Sequence, residues 1–69
     1  MSKSLGEALP EEIARVRDEI LPVYTAIGMP GAFAATCIRA DLDEASRAMI
    51  EGDLDRMIGI YQRLKEWET

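Results

Sequence analysis

The side chains that usually carry catalysis at neutral pH are scarce in this sequence. There is no histidine, a single cysteine at position 37, and only two lysines, Lys3 and Lys65. Cys37 therefore has no imidazole to serve as its base. Its neighbours Ala34, Ala35, Ile38 and Ala40 read as the surroundings of a small buried hydrophobe rather than of an activated thiolate. Neither lysine sits in an apolar run that would depress its pKa. Covalent catalysis is not expected, and the chain reads as a non-enzyme.

Carboxylates are the remaining chemistry, at Asp41, Asp43 and Glu44 and again at Glu51, Asp53 and Asp55. A calcium loop of the EF-hand kind needs a bidentate acid at its twelfth position. Counted from Asp41, Asp43 or Asp53, that position falls on Gly52, Leu54 or Leu64. Asp53 and Asp55 are instead placed to cap a helix and to meet the positive end of its dipole. No metal site and no cofactor is expected. Glu11 to Arg15 and Asp43 to Arg47 have the acid-first, four-residue spacing of pairs on a helix surface. Asp43 lies midway between Arg39 and Arg47, so those two arginines do not read as an anion clamp.

The elements that hold these residues are all helical. Leu9, Ile13, Val16, Ile20, Val23, Tyr24 and Ile27 recur at three and four, which predicts a first helix over residues 9–27. Pro10 would stand in its opening turn, followed by Glu11 and Glu12, with residues 1–8 frayed. Pro22 removes one hydrogen bond and pushes on the carbonyl of Asp18, so a kink is expected there within one continuous helix. Gly28 suits a helix end and Pro30 prevents direct resumption. A second, alanine-rich helix follows over residues 31–50, with Ala34, Ile38, Leu42, Ala45 and Met49 as its core stripe. Gly52 and Asp53 mark a turn into a third helix carrying Leu54, Met57, Ile58, Tyr61, Leu64 and Trp67. Residues 41–67, with this turn and the Ile60, Tyr61, Leu64 pattern, resemble a helical hairpin of the tetratricopeptide type. The likeness covers under half the chain, is not repeated, and lacks that family's tryptophan, glycine and proline spacing; it implies no function.

The expected architecture is thus all-α, a small three-helix bundle with short turns, in one domain over residues 1–69. A chain of 69 residues buries only about 60% of its unfolded surface, so self-association would add needed area. Thirteen acidic residues against eight basic ones give a net charge of −5, which opposes encounter with nucleic acid and with anionic membrane surfaces. The longest apolar stretch, residues 28–38, is about half a membrane span, and residues 1–8 lack the apolar core of a signal peptide. One unpaired cysteine fits a reducing, cytoplasmic compartment.

What remains is interaction. Each helix carries apolar residues beyond a single seam, and Met29, Pro30, Phe33, Met57 and Trp67 are the candidate contacts for a protein partner or a second copy. Phe33 and Tyr61 would otherwise be core residues. Trp67 either packs on the first helix or is offered to another chain. The alternative function is an acidic decoy that occupies the basic site of a nucleic-acid-binding protein, which would need a continuous anionic face.

Overall fold

The computed structural model describes residues 4–68. It is an all-α, three-helix bundle, and no strand occurs among the described residues. The first helix is continuous but built in three pieces: α1 (Leu5–Arg15), a π-helical turn (Val16–Ile20) and α2 (Leu21–Ile27). Two further helices, α3 (Met29–Glu51) and α4 (Leu54–Glu66), complete the bundle.

The first helix starts at Leu5, four residues before the expected position. The Ser4 carbonyl accepts from the Glu7 and Ala8 amides at 3.0 and 2.8 Å, and Leu5 packs against the core. Residues 5–8 are therefore an ordered first turn and not a frayed one; residues 1–3 lie outside the described residues. Pro10 accordingly sits inside α1 rather than in its opening turn. Pro10 and Gly6 are both exposed, so the carbonyl that the proline leaves without an amide faces water.

The irregularity expected at Pro22 takes the form of the π turn just before it, closed by the Leu21 amide on the Val16 carbonyl. Widening the turn accommodates the missing donor at position 22 and the ring that crowds the Asp18 carbonyl. It also inserts one residue into the helical phase. Val16 and Ile20 are buried, but the inward position that would have fallen to Val23 passes to Tyr24, and Val23 and Ile27 turn outward. Arg17 and Asp18, exposed on this turn, bond side chain to side chain at 2.8 and 3.0 Å. That hydrogen bond, with the guanidinium charge, holds the Asp18 carboxyl below the usual range.

Gly28 alone joins α2 to α3, at φ +84°, where a side chain would be strained. The two helices then cross so closely that a Cβ on Gly31 would lie 2.1 Å from the Tyr24 carbonyl oxygen. At the other end of α3, Gly52 adopts the left-handed conformation, and the Asp53 amide reaches back to the Ala48 carbonyl at 3.1 Å. Asp53 then caps α4, its carboxylate accepting from the Arg56 amide at 3.3 Å. Asp53→Ala is expected to cost about 1 kcal/mol, read as a lower urea midpoint at unchanged slope.

The core is formed by Leu9, Val16 and Ile20 from the first helix, Ile38, Ala45 and Ala48 from α3, and Met57, Ile60 and Leu64 from α4. The buried line on α3 runs Gly31, Ala35, Ile38, Asp41, Ala45, Ala48, rotated slightly from the expected stripe. Ala34, Leu42 and Met49 are half-buried at its edge, because α3 serves the first helix on one side and α4 on the other. Arg15, at the end of α1, meets the C-terminal end of α4. The α2–α3 hairpin continues beyond that point as two helices without a third.

Candidate functional site

Two features stand out from the packed bundle, one polar and one apolar. The polar one centres on Asp41, which is buried in the middle of α3. Its two oxygens accept from the Arg63 guanidinium and, at 2.9 Å, from the Trp67 indole N–H. Arg63 also reaches Glu44 at 3.4 Å. Trp67 meets Tyr24 edge to face with ring centroids 6.1 Å apart, and the Tyr24 hydroxyl donates to the Glu68 carbonyl at 3.0 Å. Beside it Arg15, paired with Glu12 at 2.6 Å, donates to the Leu64 and Trp67 carbonyls, both at 3.0 Å. These bonds satisfy the carbonyls that a helix end leaves free. The cluster ties the last turn of α4 to the other two helices.

A shallow depression of about 460 Å³ lies over this cluster, lined by Cys37, Ala40, Asp41, Arg63, Glu66 and Trp67. Both Asp41 oxygens are engaged, and the carboxylates of that lining are Asp41 and Glu66. Among the described residues no group of three or more potential ligands gathers to hold a metal ion. Nor is any described helix long and apolar enough to cross a membrane.

The apolar feature is the projecting end of the α2–α3 hairpin. Met29 is 87% and Phe33 81% exposed on α3, and Val23 at 43% and Ile27 at 52% are exposed on α2. Pro30 is exposed as well. Of the contacts expected from the sequence, Met29, Pro30 and Phe33 are therefore gathered at one end of the bundle. Phe33 is not a core residue, since it lies on the side of α3 away from the buried line. Met57 is a correction: it is buried in the core, because α4 turns Met57, Ile60 and Leu64 inward and leaves Leu54 and Ile58 outside. Trp67 is half-buried and engaged with Asp41 and Tyr24, which places it in the bundle. Val23 and Ile27 escape a reading by helical period, since only the π turn moves them outward.

Ile50, Leu54 and Ile58 are also exposed, near the α3–α4 turn. They alternate with Arg47, Glu51, Asp53 and Asp55. The hairpin end differs in that residues 20–38 contain no charged side chain; all eight basic and thirteen acidic residues lie outside them.

Comparison with protein-family models, curated protein sequences and solved structures gives no match.

Proposed function

We propose that this protein is a non-enzymatic interaction module that holds a protein partner, or a second copy of itself, through the apolar end of the α2–α3 hairpin. The observation that carries the reading is the exposure of Met29 and Phe33 on α3, and of Val23 and Ile27 on α2, within the uncharged segment of an otherwise charged bundle. Large apolar side chains gathered on a small protein leave a hydrophobic gain available to association. The absence of histidine and the engagement of both Asp41 oxygens within the bundle support a role without catalysis.

Against the acidic-decoy alternative weighs the distribution of charge. Five of the arginines are paired with acids, as Arg15–Glu12, Arg17–Asp18, Arg47–Asp43, Arg56–Glu51 and Arg63–Asp41, which breaks up any continuous anionic face.

The test is capture with tagged protein, washed at about 0.5 M salt, where exposed charges are screened within a few ångströms. Wild type is expected to retain a stoichiometric protein, whether another chain or its own untagged copy, and Phe33→Glu to lose it. Phe33→Glu is also expected to leave thermal stability within about 0.5 kcal/mol, because the side chain is solvated in the monomer. A wild-type protein that retains nothing overturns the reading, as does a Phe33→Glu protein that retains everything.

A further inference from the structure

We propose that α2 is a two-position element, whose second position is a regular α-helical phase that carries Val23 and Ile27 from solvent onto α3. In the observed position the π turn over Val16–Ile20 adds one residue to the helical phase, and both side chains face outward. One residue corresponds to about 100° of rotation and about 1.5 Å of rise, so relaxing the turn moves each Cα of α2 by about 4 Å. The change takes place within one chain and needs no partner.

α2 carries two apolar faces of similar size. Leu21 and Tyr24 form the one now packed against the core, and Val23 and Ile27 form the one now exposed. The burial gained by turning one face inward is therefore close to what the other gives up. With that contribution nearly cancelled, local contacts select the position, and two of them favour the observed one. Pro22 offers no N–H to the Asp18 carbonyl and its ring crowds that group in a regular helix, which the wider turn relieves. Tyr24, held inward, meets Trp67 edge to face with centroids 6.1 Å apart and donates to the Glu68 carbonyl at 3.0 Å. The regular phase swings Tyr24 to the edge of α3 and gives up both contacts. Pro22 thus holds the observed position from within the helix, and the C-terminal turn holds it from outside.

The surroundings of α2 allow the rotation. Over this stretch the buried line of α3 is Gly31 and Ala35, with Ala34 half-buried at its edge. None has a side chain larger than a methyl, so no tall ridge keys α2 into a single rotation. Gly31 admits the α2 backbone itself, whichever face is turned inward. Gly28 alone connects the two helices, and a Cβ there would meet nothing within 4 Å, which leaves it free to absorb the change in direction. Display of Val23 and Ile27 is in consequence coupled to the docking of Trp67 and Glu68 on Tyr24, at the far end of the chain.

Pro22→Ala in the full chain is the test, with Val23→Gln and Ile27→Gln as reporters of the position. In wild type each reporter is expected to move the melting temperature by less than about 4 °C, since both residues are exposed. In Pro22→Ala each is expected to lower it by about 8 °C or more, because the glutamine then enters a packed surface. Nuclear Overhauser contacts are expected to follow: the Tyr24 ring loses its contact with Trp67, and the Val23 and Ile27 methyls gain contacts to Gly31 and Ala34. Pro22→Gln gives the same comparison should Pro22→Ala fold poorly. Reporter shifts that are equal in the two backgrounds overturn the proposal, as does a Pro22→Ala protein that keeps the Tyr24–Trp67 contact. Either result leaves the interaction reading standing, since capture through Phe33 is read on the wild-type helix.

Discussion

Gly31→Ala is expected to lower stability by about 3 kcal/mol, although alanine is ordinarily the better helix residue by about 1 kcal/mol. The reason is the crossing of α2 and α3. The added methyl would sit 2.1 Å from the Tyr24 carbonyl oxygen and 3.0 Å from its carbon, both backbone atoms. No rotamer change relieves that contact, so the two helices must separate along the hairpin. Separation loosens Ala35 and Ile38 against the first helix and moves Tyr24 away from Trp67. Gly59→Ala is the internal control, since a Cβ there meets nothing within 4 Å on the outer face of α4. It is expected to stabilise by about 0.5–1 kcal/mol through helix propensity alone. In a domain this small each kcal/mol moves the melting temperature by about 4–8 °C, so the two substitutions are expected to shift it in opposite directions. A Gly31→Ala protein that melts at or above wild type would show that the crossing is looser than described.

The second large effect is expected at Asp41. Asp41→Ala removes the acceptor for both the Arg63 guanidinium and the Trp67 indole, and is expected to cost about 2–3 kcal/mol. Arg63→Ala should cost less than about 1 kcal/mol, because Arg63 is 56% exposed and its pairing is screened by water. The asymmetry identifies Asp41 as the anchor and Arg63 as a cover. Trp67 is the only tryptophan, so its fluorescence reports the local event directly. Emission is expected to shift to longer wavelength in Asp41→Ala before global unfolding, as the last turn of α4 detaches from α3. Equal costs for the two substitutions, or an unmoved emission maximum, would sink the anchor role. If the hairpin end is the contact surface, Asp41→Ala should also weaken association less than Phe33→Glu, since the anchor stiffens the base of the hairpin without touching its end.

The candidate site was legible in part. Met29, Pro30 and Phe33 follow from a Gly-Met-Pro-Gly turn, which places apolar residues where a reversal must be exposed. Their companions Val23 and Ile27 were hidden by period: both continue the apolar face of an ideal α-helix, and one inserted residue at the π turn undoes that phase. The signal present in the sequence was instead the absence of charge from residues 20–38, a segment too long for one buried face of a small bundle to absorb. Met57 was misplaced for the converse reason. On α4, Met57 and Ile58 are adjacent apolar residues, and only the arrangement of the neighbouring helices decides that Met57 points in and Ile58 out.

By itself the sequence determined the all-α class, the reversals at Gly28 and Gly52, and the cap at Asp53, because these depend on interactions within a few residues. It likewise determined the scarcity of catalytic side chains and the acidic balance, which are matters of composition. Only the tertiary structure decided that Asp41 is buried, since its two donors lie on another helix, more than twenty positions away. It alone also decided that the α2–α3 hairpin outruns α4. That result depends on where three rods of unequal length align, and helical periodicity specifies which face a residue occupies but not how far its helix extends past its neighbours.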